Sequence, residues 1–277
     1  MAIVLPNSKW MKENTSVIYE YIKGSGNRIV NPSLIFDKYL FWEEYNGTLA
    51  PDKNTLKKIK KIHFGEIAKL KLPLEKGQYT QLKDRKNSLP ITYPFTLTTR
   101  TRLIVNHGDE SIMENSIALH PQYGFPIIPG SAVKGVTRHY CEEFLEKTGK
   151  NKKSIKKIFG NSSDDEDAEE GSIIFIDAWP ESTGNNFLET DVFTPHYQDY
   201  YQNKGKKLPQ DNQRLVPINF LAVRKGVQFE FAIAPSSICR EDEAQDRIDK
   251  TEKWITDALR TFGIGAKTGS SYGYFKL

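Results

Sequence analysis

The stretch Thr261-Phe-Gly-Ile-Gly-Ala-Lys-Thr-Gly-Ser-Ser-Tyr-Gly-Tyr-Phe275 sets Lys267 and Thr268 among Gly263, Gly265 and Gly269. Glycines let backbone N–H groups come close to an anion, and a lysine among them adds a point charge, so the chemistry on offer is phosphate binding. The familiar nucleotide loops do not fit. A Walker A loop needs Gly-x-x-x-x-Gly-Lys-Ser/Thr, and Thr261 and Ala266 occupy its two glycine positions. That loop and the dinucleotide fingerprint also follow a strand and open a helix, whereas this one follows helix-patterned sequence and leads into a short aromatic strand. A polymeric phosphate ligand fits better than a mononucleotide.

A second candidate is Pro129-Gly-Ser-Ala-Val-Lys-Gly-Val-Thr-Arg-His-Tyr140. Gly130 and Ser131 open a helix, with Ser131 expected as its N-cap. Lys134 and Arg138, four apart, share a face and can reach neighbouring phosphates, while the helix N-terminus adds free N–H groups. The alternative is a helix that starts at a tight turn and packs its glycine on a strand. Metal chemistry has weaker support. His107, His120, His139 and His196 could combine with Asp109 or Asp191, or act in metal-independent RNA cleavage, but none has ligand spacing. Packing or RNA contact is the expectation for each, with His139 near the core face of its helix. No metal and no cofactor are expected.

Composition bounds the setting. The chain has 277 residues, 38% hydrophobic and 27% charged, as a water-soluble globular fold requires. No apolar run approaches a bilayer span, and the start MAIVLPNSKW lacks the features of a signal peptide. Cys141 and Cys239 form neither a disulfide framework nor a metal motif, and a cytoplasmic location is expected. The net charge of +4 includes one acidic run over 162–170, so the remaining surface is more basic than the total.

These residues need elements to position them. Residues 1–90 are expected to be mostly helical, with helices over 16–23, around 34–42 and over 56–70. Lys57, Lys58, Lys60 and Lys61 give the last a basic face, either solvated or RNA-facing. A boundary is expected within 83–94. Beyond it, 95–105 alternates as a strand, and Val133, Val136, Tyr140 and Phe144 mark one apolar face of a helix ending near Gly149. A strand over 172–178, an irregular insertion over about 180–217 and strand material at 220–223 and 227–234 follow. Ile248, Thr251, Ile255, Leu259 and Phe262 mark a helix, and 272–277 a last strand. The order β-α-β, insertion, β-α-β predicts an α+β, ferredoxin-like (RRM-like) sandwich over 91–277.

Together, Gly124-Phe-Pro-Ile-Ile-Pro-Gly-Ser-Ala-Val-Lys-Gly-Val-Thr-Arg138, Gly171-Ser-Ile-Ile-Phe-Ile-Asp-Ala178 and Gly263-Ile-Gly-Ala-Lys-Thr-Gly-Ser-Ser-Tyr-Gly273 resemble the RAMP superfamily of CRISPR-associated proteins. Leu119-His-Pro-Gln-Tyr-Gly-Phe-Pro126 and Asp191-Val-Phe-Thr-Pro-His-Tyr-Gln-Asp-Tyr-Tyr201 are similar to the family of sixth RAMP subunits of the type III-B (Cmr) effector complex. The resemblance covers residue 95 onward and leaves the amino-terminal part unplaced.

It implies a non-catalytic subunit of an RNA-guided interference complex, stacked with other RAMP subunits. The subunit would hold guide RNA toward its 3′ end and, across the guide, target RNA. Pairing between guide and target would select sequence, with the protein holding backbone and shape. Gly130, Ser131, Lys134, Arg138, Gly263, Gly265, Lys267, Thr268 and Gly269 would contact phosphates. His196, Tyr197, Tyr200 and Tyr201 of the insertion would stack on bases or wedge beside a displaced one, or else pack against the sheet or a neighbour. In cleaving RAMP subunits an aspartate follows the first strand; the nearest equivalent here is Glu114, a weak catalytic candidate. Two alternatives remain at this stage. One is a metal-dependent endoribonuclease acting on target or guide RNA. The other is a protein-interaction module whose glycine loop only packs.

Overall fold

Tyr93, Phe95, Leu97 and Thr99 alternate with Pro94, Thr96 and Thr98, so one side of this segment is apolar and must find a core. In the computed structural model it is strand β1 (Tyr93–Thr99). The structure describes residues 31–38, 53–70, 72, 74–88, 92–108, 115–147, 151–161, 169–183, 187–194 and 217–277. The helix expected over 16–23, most of the acidic run, Glu114, His196, Tyr197, Tyr200 and Tyr201 lie outside the described residues.

Three helices precede β1: α1 (Pro32–Lys38), α2 (Lys53–Ile67) and α3 (Lys76–Asn87). After it come α4 (Gly130–Tyr140), a π-helical turn (Cys141–Glu146) and α5 (Lys152–Phe159). Then follow β2 (Ile173–Pro180), β3 (Leu188–Phe193), β4 (Ile218–Val223), β5 (Gln228–Pro235), α6 (Glu241–Thr261) and β6 (Phe275–Lys276). The main sheet is antiparallel in the order β2-β5-β1-β6. Its register sets Phe95 opposite Phe231 and Leu97 opposite Phe229, and the first pair stacks at 5.7 Å. β5 is buried from Phe229 to Ala234, as an interior strand must be. α4 packs on β2 and on α6, and α6 buries Ile248, Thr251, Ile255 and Leu259 as its periodicity predicts. The result is a mixed helix-and-sheet fold.

The strand expected over 95–105 ends at Thr99. The Arg100 N–H donates to the Tyr274 carbonyl at 2.7 Å, and Leu103 then bridges Val223 of β4, away from the main sheet. Apolar alternation continues across this break because both sheets need buried residues, and periodicity does not report a change of partner. The insertion is likewise not irregular from residue 180. Leu188–Phe193 forms β3 and pairs with β4 in an antiparallel register from Leu188 opposite Val223 to Phe193 opposite Ile218. Glu189 and Asp191 make β3 look like loop, yet Arg102 bonds both of them across the fold.

α3 leaves no apolar stripe for periodicity to find and runs into the boundary expected within 83–94, because it is polar nearly all round, with only Tyr79 buried. A capping box between Glu75 and Gln78 starts it. Contacts to the sheet hold it: Tyr79 Oη donates to the Pro180 carbonyl at 2.5 Å, and Lys83 reaches Glu230 at 2.7 Å. α5 also escaped the periodicity, being eight residues long, and buries Ile155, Ile158 and Phe159. On α2 the basic face is interrupted. Lys57, Lys58 and Lys61 are exposed, but Lys60 is buried.

Candidate functional site

The glycine turn is shaped first by the protein's own backbone. Gly265 has φ 89°, and a Cβ there would strike the Ile104 carbonyl oxygen; Gly273 has φ 77° and lies as close to the Ile264 carbonyl oxygen. The Ala266 N–H donates to Ile104 at 2.7 Å, the Ile264 N–H to Gly273 at 2.9 Å and the Gly273 N–H to Arg102 at 2.6 Å. These glycines therefore let the turn lie flat on the segment after β1. Gly269 differs, since nothing lies within 4 Å of the place its Cβ would occupy. Lys267 adopts the left-handed conformation at φ 60°, and its carbonyl accepts from Ser270 at 2.8 Å and Tyr272 at 3.3 Å. Thr268 follows in a short 3-10 turn, with its carbonyl accepting from Tyr274 Oη at 3.3 Å.

The Lys267 ammonium lies 3.6 Å from the centroid of the Phe193 ring, at the end of β3. Among the described residues no carboxylate pairs with it. The acid on the same strand, Asp191, is taken: Tyr272 Oη donates to it at 2.5 Å and Arg102 Nη1 at 3.0 Å, while Arg102 Nε bonds Glu189. Burial first and then Asp191 push the Tyr272 phenol up to about 12. His107 packs edge-on against Phe220, and burial, with help from the Lys267 charge, holds its imidazole below the ordinary value. The turn thus presents one cation that an aromatic ring positions and no described acid neutralises.

The start of α4 has a different arrangement. Ser131 is not the cap. It is exposed within the helix, and the Gly130 N–H instead donates to Asp177 Oδ1 of β2 at 2.8 Å. Gly130 has no room for a Cβ beside the Phe175 carbonyl, which brings helix and strand close enough for that bond. The end of the helix where an anion was expected therefore already faces a carboxylate of the protein. Lys134 is half-buried and pairs with no described carboxylate. Arg138 pairs with Glu142 at 2.7 Å, so part of its charge is spent. Around Gly135 the surface is open.

His139 is exposed rather than core-facing and packs on Phe262 at 4.9 Å, which joins the end of α4 to the residue before Gly263. The two candidate segments are thus neighbours on the surface. His120 belongs elsewhere, against Phe125 at 4.7 Å, Tyr123 at 5.0 Å and Trp179 at 5.6 Å, where burial lowers its pKa against the opposing charge of Asp177. Among the described residues no three His, Cys, Asp or Glu side chains gather as metal ligands, and Cys141 and Cys239 are free thiols. No described helix is long and apolar enough to cross a membrane. Sequence reasoning missed the setting of Lys267: Phe193, Tyr272 and Arg102 come from three separate segments. The one available signal was Asp191-Val-Phe193, which had drawn notice only as part of a longer motif.

Comparison with known proteins adds an independent line. The sequence model of the RAMP superfamily matches residues 96–276. The CRISPR system Cmr subunit Cmr6 of Pyrococcus furiosus is 30% identical over 95% of this chain and 98% of that protein. The Cmr6 subunit of Saccharolobus solfataricus is 27% identical, over 95% of this chain and 87% of its own. A chain in the cryo-EM structure of the type III-B Cmr-beta complex bound to cognate target RNA shares the fold. Its TM-score is 0.59 at 23% identity, covering 99% of this chain and 94% of that one.

Proposed function

Since the chain belongs to the RAMP superfamily, we propose that it is a non-catalytic, RNA-binding structural subunit of a type III-B CRISPR interference complex. It holds guide RNA toward the 3′ end, and target RNA paired to that guide, beside other RAMP subunits. The near full-length match to Cmr6 proteins supports membership of such a complex. The antiparallel order β2-β5-β1-β6, with α4 following β1 and α6 following β5, supports a ferredoxin-like core over 91–277. We infer a mostly helical extension over 1–90, of which α1, α2 and α3 are the described helices, and an insertion at about 180–217.

The observation that carries the RNA reading is Lys267 on Phe193. A half-buried ammonium without a described counter-ion, on an open glycine turn, gains by meeting a phosphate. Lys134 supplies a second cation, and Arg138 contributes once RNA competes for it with Glu142. Gly130 and Ser131 shape the start of α4 beneath the guide. Gly263 and Gly265 shape the turn, and Thr268 and Gly269 offer it the guide backbone. His196, Tyr197, Tyr200 and Tyr201 provide base stacking from the insertion. Glu114 has no catalytic role in this reading. His107, His120 and His139 pack on aromatic rings, which is a structural use of histidine. The test is a titration of guide-strand RNA with the wild type and with Lys134→Ala plus Lys267→Ala. Weaker binding with a shallower salt dependence supports the assignment, and an unchanged affinity and slope sink it.

A further inference from the structure

The π-helical turn after α4 changes which side chain is buried. In a continuous α-helix, Phe144 would join Val133, Val136 and Tyr140 on the apolar face. Wider i→i+5 spacing over Cys141–Glu146 shifts the phase. Val133, Thr137 and Cys141 are buried, Leu145 packs against the core, and Phe144 is left 46% exposed. Among the described residues nothing offsets the cost of exposing it. Among the described rings Phe144 meets two that are themselves partly exposed, Tyr140 at 5.3 Å and Phe262 at 5.6 Å, and Phe262 also packs on His139 at 4.9 Å.

The charges around this cluster say what can cover it. Glu142 and Glu143 precede Phe144, and each is already neutralised, by Arg138 at 2.7 Å and by Lys147 at 2.5 Å. Asp257 lies beside Tyr140, where burial and then that carboxylate raise the phenol's pKa. With Arg260 three residues after Asp257 on α6, three cations stand against three acids around the rings, and a polyanion finds no surplus positive charge here. A protein surface gains from the rings themselves, since aromatic residues inside a charge-balanced rim are the composition of a protein–protein contact.

We propose that the patch of His139, Tyr140, Phe144 and Phe262 docks a neighbouring protein subunit of the same complex, which seats an uncharged apolar surface on the rings. Phe262 directly precedes Gly263, so the dock adjoins the glycine turn, and a subunit continuing along the guide reaches it. That last placement rests on the RNA-binding reading above.

The experiment reconstitutes the complex from the full chain, guide RNA and the other subunits, and measures incorporation by size-exclusion chromatography. RNA affinity of the isolated chain is measured in parallel. Phe144→Ser is expected to weaken incorporation on the order of tenfold or more while leaving the isolated chain's RNA affinity intact. His139→Ala, on the exposed helix surface and with no new charge beside Arg138, carries the same test should the first variant misfold. Normal incorporation of folded variants overturns the proposal. Normal incorporation with lost RNA affinity overturns it too, and reassigns the rings to base stacking. Loss of incorporation in a chain that binds no RNA even as wild type keeps the dock and removes the RNA reading instead.

Discussion

Lys267 holds its ammonium 3.6 Å from the centre of the Phe193 ring, and this contact ties the glycine turn to the two-stranded sheet of β3 and β4. The same junction is bonded twice more, by Tyr272 and by Arg102 to Asp191. Satisfying Asp191 in this way keeps a carboxylate from claiming Lys267. The cation is held in place without being cancelled.

Lys267→Ala is therefore expected to weaken RNA binding and to lower the salt slope by about 0.7, the increment for one phosphate contact on a single strand. Arg138→Ala has a smaller effect, because Glu142 already shares that charge. Glu142→Gln releases Arg138 and tightens binding. Fluorescence anisotropy over a series of salt concentrations measures all three, and equal losses at Lys267 and Arg138 would contradict this ranking.

Alanine at Gly265 or Gly273 is expected to destabilise the fold by about 2 kcal/mol or more, since both combine positive φ with a backbone collision. Gly269→Ala, in open space, stays within about 0.5 kcal/mol. Urea denaturation separates these cases. A tolerant Gly265 would mean that the turn does not rest on Ile104.

His63 on α2 is fully buried, and burial lowers its pKa from 6.5 to about 4. Between those values the unfolded chain binds the proton and the folded one does not, so stability falls as pH drops through this window. The loss amounts to at most about 3 kcal/mol. His63→Gln should flatten the stability–pH curve between 6.5 and 4. An unchanged slope would assign the acid sensitivity to another group.

Glu230 behaves differently. Burial pushes its pKa up, but hydrogen bonds from Lys83 and Asn87 and the charge of Lys86 outweigh that and hold it below the ordinary carboxylate value. Lys86, itself deeply buried, is held below its ordinary value by burial despite Glu230. Glu230→Gln leaves the buried Lys86 without its carboxylate and Lys83 with Glu181 alone, and should cost about 3 kcal/mol at neutral pH. The stabilisation is full above the ordinary carboxylate range and is lost as pH falls below it. The difference between wild type and variant in chemical denaturation must therefore shrink on acidification; a constant difference would show that the Glu230 charge is not what holds α3 on the sheet.

The sequence by itself determined those parts whose pattern is local. The apolar spacing of Ile248, Thr251, Ile255 and Leu259 specified α6, alternation specified β1, and β2 and β5 were legible as short strand segments. Quoted motifs carried the family, because glycines pressed against backbone leave a fixed mark in sequence. Tertiary structure decided what depends on partners distant in the chain. Asp177, not Ser131, caps α4, since only the fold brings a β2 carboxylate to that helix end. α3 is a helix because Glu230 and Pro180 receive its polar side chains. Phe144 faces solvent because a π turn, which leaves no periodic trace, rotates it off the core. Lys267 was legible as a candidate from its glycines alone. That it rests on Phe193, with Asp191 already satisfied, follows from bonds between segments some eighty residues apart, which no local spacing encodes.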